Sequence, residues 1–95
     1  MIAQRVREYL NEHLDEMLAL LKRFVEVDNR STNKAGVDEI GTILEQEYEA
    51  LGFVSERLRQ GIRGDSLILR RHAPGKRVLL ICHIDSVFPA AMLDA

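Results

Sequence analysis

The amino-acid sequence predicts an α/β fold, with two N-terminal helices followed by three strands that begin a mixed, mostly parallel sheet. Three observations predict it. In the first half of the chain, apolar residues recur every three or four positions. In the second half, short apolar runs are separated by glycine and proline turns. The last of these runs, Val78 to Ile81, has four consecutive aliphatic residues, which is typical of a strand buried on both faces.

The first helix is predicted from about Ala3 to Val27. Its apolar positions lie at helical spacing, and charged residues fill much of the other side. The apolar positions are Val6, Leu10, Leu14, Met17, Leu18, Leu21, Phe24 and Val25. At 1.5 Å per residue such a helix would be roughly 35–40 Å long, and this length allows a break near Asn11–His13.

The second helix is predicted from about Lys34 to Leu51. The polar loop before it, Asp28–Asn33, is rich in residues that cap helices. Gly52 is placed to end the helix in a left-handed turn. Gly41 inside it costs about 1 kcal/mol relative to alanine, and close packing against another element would explain that glycine. Both helices are interpreted as scaffold, since neither carries an evident reacting group.

Three strands are predicted in the second half of the chain, joined by short links that favour antiparallel neighbours. They run from Phe53 to Arg59, from Ser66 to His72 and from Lys76 to His83. The third strand needs apolar cover on both faces, and two helices are enough for only one. The predicted layer is therefore unfinished.

The third strand ends at a histidine and an aspartate two residues apart. Side chains two apart on a strand point the same way, so His83 and Asp85 are predicted to project together beyond the strand's carboxyl end. Open α/β sheets bind their ligands there. A neutral imidazole suits zinc, and a neighbouring carboxylate can orient the ring. By itself, however, a His-x-Asp tripeptide is a weak signal, and a histidine at a strand end is more often structural.

Several sequence blocks support the zinc interpretation through their order and spacing. They are the segment from Gly36-Val37-Asp38 through Leu51-Gly52-Phe53, then Gly64-Asp65-Ser66-Leu67, and the aliphatic run into His83-Ile84-Asp85 followed by Ser86-Val87-Phe88-Pro89. From about Leu18 to Pro89, the chain resembles the zinc-dependent metallopeptidase family of glutamate carboxypeptidase, aminoacylase and succinyl-diaminopimelate desuccinylase type.

The resemblance implies a function and roles for two residues. Members of that family hold two zinc ions side by side and hydrolyse the amide bond of a small peptide or an N-acyl amino acid. By resemblance His83 is a zinc ligand, and Asp85 is the catalytic-site carboxylate that orients a metal-site residue. The family's remaining ligands and general base lie downstream. Residues 1–95 are therefore expected to be an N-terminal portion of a catalytic domain, from a parent that is a homodimer. Alone, they are expected to bind zinc weakly and to be inactive.

Composition and charge narrow the other possibilities. The chain of 95 residues has no run approaching the roughly 18 apolar residues of a membrane span and no signal peptide, so a cytoplasmic location without a membrane partner is expected. Residues 1–56 carry a net charge of −6 and residues 57–95 a net +4. A nucleic-acid surface is one interpretation of the basic half. Basic residues at hairpin ends are favoured instead, because no aromatic stacking platform accompanies them.

Two further expectations concern reactivity and association. Cys82 is predicted to be a buried, inert thiol on the strand face opposite His83 and Asp85. The alternative function is a non-catalytic α/β interaction module or a truncated remnant. Because the third strand is uncovered, the isolated chain is expected to self-associate through its apolar surface and sheet edges.

Overall fold

A computed structural model of the chain describes residues 1–86 and confirms the α/β class. Three helices precede one hairpin: α1 is Ile2–Glu12, α2 is Leu14–Glu26, α3 is Lys34–Ala50, β1 is Val54–Leu58 and β2 is Ser66–Arg70. Residues 87–95, which include the end of the family-like block at Val87-Phe88-Pro89, lie outside the described residues. No helix within residues 1–86 is long and apolar enough to cross a membrane.

The predicted first helix is divided at His13, within the segment where a break was allowed. The backbone N–H of His13 donates to Tyr9 O at 3.1 Å and ends α1. The imidazole supports this cap, because its Nδ1 lies 2.8 Å from the same carbonyl oxygen and its ring stacks on the Tyr9 ring at 3.9 Å. The chain then restarts as α2.

The apolar stripe of α1 and α2 is exposed. Neither helix has a buried residue. The large apolar side chains of the stripe keep 40–56% of their surface accessible: Val6, Tyr9, Leu10, Leu14, Met17, Leu18, Leu21 and Val25. An exposed ion pair, Arg23 with Glu47 at 3.8 Å, joins α2 to α3. The amphipathic pattern therefore predicted the helices correctly, but their apolar face does not contribute to the core of the described residues.

The core lies under α3, which packs on both strands of the hairpin. Val37, Ile40 and Ile43 are its buried apolar residues. Helix α3 begins where Asn33 Oδ1 accepts the backbone N–H of Gly36 at 3.1 Å, and Gly52 follows its end with a φ of 88°. A Cβ on Gly41 would come within 3.0 Å of Arg57 Nη2, so the close packing expected at this glycine is present.

The hairpin is antiparallel, as the short link between its strands indicated. Val54 pairs with Arg70 at one end and Leu58 with Ser66 at the other. At the C-terminal end of α3, the rings of Tyr48 and Phe53 pack edge to face, with their centroids 4.9 Å apart. This contact and the hydrogen bond from Phe53 N to Tyr48 O fix the turn from α3 into β1.

The third strand and its burial on both faces are not confirmed. Residues 76–85 have no strand assignment, and Val78 to Ile81 are 77–87% exposed. The sheet of the described residues has two antiparallel strands and no parallel pair of strands. An aliphatic run becomes a buried strand only when it has ladder partners and apolar cover on both faces. Within residues 1–86 this run has neither.

Candidate functional site

His83 and Asp85 lie side by side, as predicted, although the strand on which that prediction rested is absent. His83 Nδ1 is 3.3 Å from Asp85 Oδ1. The imidazole is 93% exposed, whereas the Asp85 side chain is 36% exposed. The carboxylate is thus partly sheltered and the ring reaches into solvent, which suits a ring that is oriented from one side and available on the other.

The second oxygen of Asp85 is held by Ser31. Ser31 Oγ donates to Asp85 Oδ2 at 2.5 Å. This hydrogen bond is the main reason that the pKa of Asp85 lies below its usual value; burial opposes it, and the bond to His83 lowers the pKa further. Near neutral pH the carboxylate is therefore ionised and acts only as an acceptor.

A short parallel bridge aligns the segments that carry these two residues. Ser86 N donates to Asn29 O at 2.8 Å, and Ser31 N donates to Ser86 O at 3.1 Å. The Asn29 side chain reinforces the bridge, because its Nδ2 donates to Ile84 O at 2.9 Å and its Oδ1 accepts from Ser86 Oγ at 2.9 Å. Residues 84–86 are thus anchored by polar contacts to the loop before α3.

That loop keeps its shape through its own side chains. Arg30 donates to both carboxylate oxygens of Asp28, from Nε at 3.0 Å and from Nη2 at 2.9 Å. The Arg30 hydrogen bond is the chief cause that holds the pKa of Asp28 below its usual value. Asn33 Nδ2 donates to Asp28 O at 2.9 Å while its Oδ1 caps α3. The loop is therefore tied to the N-terminus of the helix that forms the core.

A second polar cluster lies at the turn of the hairpin, around the buried Asp65. Its Oδ1 accepts from Lys34 Nζ at 2.9 Å and from Gln60 N at 2.8 Å. Its own N–H donates to Asp38 Oδ1 at 2.7 Å. The Gln60 and Lys34 hydrogen bonds together hold the pKa of Asp65 below its usual value. Asp38 and then Asp65 raise the pKa of Lys34. These contacts fasten the 59–65 turn to the first turn of α3.

An open groove of about 990 Å³ connects these features. It lies between α3, the hairpin and the 78–85 segment. Val37, Leu44, Tyr48, Phe53, Leu67 and Leu69 line its apolar part. Ser31, Arg63, Asp65, His83 and Asp85 line its polar part. Mostly apolar walls with a few polar groups are typical of sites for small molecules.

The sequence prediction for Cys82 needs correction. Its thiol is exposed, and the residue lines the same groove as His83 and Asp85. The prediction assumed strand alternation, and residues 76–85 have no strand geometry to impose it. His72, interpreted as a surface residue, is exposed.

Sequence reasoning missed the residues that hold the pair in place. Asp28–Asn33 was interpreted only as a loop with helix caps, yet Asn29 and Ser31 are the partners of residues 84–86. The density of hydrogen-bonding side chains there was a signal, but it did not name the partner segment. Asp65 was part of the family resemblance only, and its place between Gly64 and Ser66 gave no indication of burial.

The His83–Asp85 pair consists of one imidazole and one carboxylate, and the Nδ1 side of the ring faces Asp85. No group of three or more His, Cys, Asp or Glu side chains that could hold a metal ion occurs among residues 1–86. In comparisons with protein-family models, curated proteins and solved structures, nothing matches this chain.

Proposed function

We propose that the chain supplies the first metal-binding segment of a zinc-dependent amide hydrolase of glutamate-carboxypeptidase type. His83 would be a zinc ligand through Nε2, and Asp85 would orient its ring. The observation that carries the proposal is the His83–Asp85 pair, held by Ser31 at the polar part of a groove. The resemblance of several sequence blocks to that metallopeptidase family supplies the reaction.

Zinc in such a centre would polarise the scissile carbonyl and lower the pKa of a bound water. The residues of this chain would contribute orientation and shelter. Asp85, ionised near neutral pH, would keep the His83 ring in one tautomer and raise its basicity as a ligand. The groove's apolar walls would bind the side chain or acyl group of a small peptide or N-acyl amino acid. A catalytic zinc needs three protein ligands, so His83 would be one ligand of a larger set.

A zinc titration of the 95-residue chain, followed by the ring signals of its three histidines, tests this proposal. We expect His83 to respond saturably and weakly, as befits a single ligand, and His83→Ala to abolish that response. His72→Ala is the matched control, because it removes an exposed histidine elsewhere in the chain. No hydrolysis of N-acyl amino acids is expected from the chain alone. The absence of any zinc effect at His83 would contradict the assigned site, and submicromolar one-to-one binding would contradict its single-ligand character.

A second function is favoured by the exposed apolar surface. Val78 to Ile81 and the stripe on α1 and α2 are accessible in the described residues. An α/β interaction module, or self-association of the isolated chain, would cover such surface. A sharp monomer peak in size-exclusion chromatography with light scattering would contradict this alternative. The cytoplasmic location and the homodimeric parent remain predictions from the sequence.

A further inference from the structure

The two oxygens of the Asp85 carboxylate have different partners. Oδ2 accepts from Ser31 Oγ, and Oδ1 faces His83 Nδ1 at 3.3 Å. An ionised carboxylate has no proton to donate, so the hydrogen bond requires a proton on Nδ1. A neutral ring with its proton on Nδ1 leaves the lone pair on Nε2, the nitrogen that points away from Asp85.

Ser31 is itself held by its main chain. Its N–H donates to Ser86 O at 3.1 Å, and its carbonyl accepts from Arg63 Nη1 at 3.4 Å. The hydroxyl therefore approaches Asp85 from a backbone already aligned with residue 86. Without the hydroxyl, the Asp85 carboxylate could turn about its χ2 torsion, which is broad and roughly two-fold. The partly exposed carboxylate could then satisfy its oxygens with water.

We propose that Ser31 is a positioning residue, whose hydroxyl fixes Asp85 Oδ2 so that Oδ1 holds the proton of His83 on Nδ1 and leaves Nε2 as the free donor. The inference rests on the proposed function only for the use of that donor, a zinc ion. The positioning itself is a property of the metal-free chain.

The tautomer can be measured directly from the ¹⁵N shifts of the imidazole rings, in the complete chain without metal, at about pH 8.5, where an ordinary imidazole is neutral. We expect wild-type His83 to carry its proton on Nδ1. In Ser31→Ala the His83 shifts should move towards those of exposed His72. In Ser31→Thr, which retains the hydroxyl, they should stay at the wild-type values.

Two internal controls separate positioning from general loss of structure. His13 Nδ1 faces the Tyr9 carbonyl oxygen at 2.8 Å, and a carbonyl only accepts, so the His13 proton should stay on Nδ1 in every variant. Ser55→Ala is the matched serine variant, because Ser55 Oγ also donates to carboxylates, those of Glu45 and Glu49. It should leave His83 unchanged. Should Ser31→Ala lose the folded amide spectrum, Ser31→Gly, which also lacks the hydroxyl, tests the same bond.

The outcomes separate this inference from the proposed function. If wild-type His83 carries its proton on Nε2, or if folded Ser31→Ala or Ser31→Gly keeps the wild-type His83 shifts, the positioning role is overturned. If the tautomer responds as expected but zinc never perturbs His83, Ser31 keeps its role and the zinc function fails. If zinc binds at His83 equally well in wild type and in Ser31→Ala with an unchanged tautomer, the zinc function stands and Ser31 is not its positioning residue.

Discussion

Two regions of this chain hold an aspartate in very different ways. In the body formed by α3 and the hairpin, Asp65 is buried and its carboxylate is engaged by Lys34 and the Gln60 N–H. In the 78–86 segment, Asp85 is partly exposed, with one oxygen fixed by Ser31 and the other facing an exposed imidazole. The pKa of each carboxyl lies below its usual value, and hydrogen bonds are the main cause for both.

The difference separates a carboxylate that holds the fold from one that is available for chemistry. The partners of Asp65 come from α3 and from the turn of the hairpin, so its loss would disconnect two elements of the body. The partners of Asp85 lie in the loop before α3 and in its own segment, so its loss would release an imidazole. Lowered pKa values alone would not distinguish them; the partners do.

The largest effect on stability is expected from the core under α3. Ile40→Ala removes a side chain that is 4% exposed and should lower the free energy of unfolding by about 2–5 kcal/mol. Urea denaturation at low protein concentration measures it. Leu51→Ala, at an exposed position just after α3, is the control and should change the free energy by about 0.5 kcal/mol or less. Equal losses of unfolding free energy in the two variants would mean that the buried face of α3 does not form the core.

The next largest effect is the difference in stability expected between matched substitutions of Asp65 and Asp85. Asp65→Asn leaves Lys34 with one carboxylate instead of two and removes the charge that Gln60 N–H contacts, so it should destabilise the chain clearly. Asp85→Asn is the matched substitution in the segment and should stay within about 1 kcal/mol of wild type. Urea midpoints of the two variants test the order. A larger loss for Asp85→Asn would contradict the division between body and segment.

Acid should act on the body through the same carboxylates. The pKa values of Asp38 and Asp65 are held below the ordinary 3.8, mainly by Lys34 for Asp38 and by Gln60 and Lys34 for Asp65. Such groups contribute stability that is fully present above the unfolded pKa and is lost as pH falls through the folded pKa. The urea midpoint should therefore begin to fall as pH drops below the range near 3.8.

The alkaline side has the opposite sign. The raised pKa of Lys34 contributes stability that is present below the ordinary 10.5 and is lost as pH rises through the folded value.

One pair of variants tests the acid limb, which is the fall of the urea midpoint at acid pH. Asp65→Asn should flatten it, whereas Glu39→Gln, on the exposed face of α3, should not. An acid limb unchanged in Asp65→Asn would show that other groups cause it.

The body formed by α3 and the hairpin and the 78–86 segment also show which features of the fold and site could be predicted from the sequence. The predicted bounds of α3, Lys34 to Leu51, differ by one residue from the observed Lys34–Ala50, because the cap at Asn33, the helical period and Gly52 are local signals. The predicted third strand was not found, because a strand depends on partners that periodicity does not supply. His83 and Asp85 lie close together as predicted, but without the strand from which the prediction was made. The bond from Ser31 to Asp85 spans 54 positions, and no local pattern encodes it.

The smallest effect on stability is expected from substitutions in the 78–86 segment. Those substitutions should change the self-association of the chain instead. Leu79 and Ile81 are 82% and 87% exposed, so replacing both with lysine removes little buried area and should alter the free energy of unfolding by about 0.5 kcal/mol or less. The self-association expected of the isolated chain should weaken, because the aliphatic run loses its apolar character. Light scattering across a concentration series measures it.

Ile62→Lys is the matched control for that change. Ile62 is also 87% exposed but lies in the turn of the hairpin, outside the aliphatic run. Paired with a second exposed change in the same turn, Gln60→Lys, it adds the same positive charge as the double variant while leaving Val78 to Ile81 intact. If the control dissociates the chain as effectively as Leu79→Lys with Ile81→Lys, charge rather than the aliphatic run governs association. If only Leu79→Lys with Ile81→Lys dissociates the chain, the exposed aliphatic run is the surface through which the chain associates.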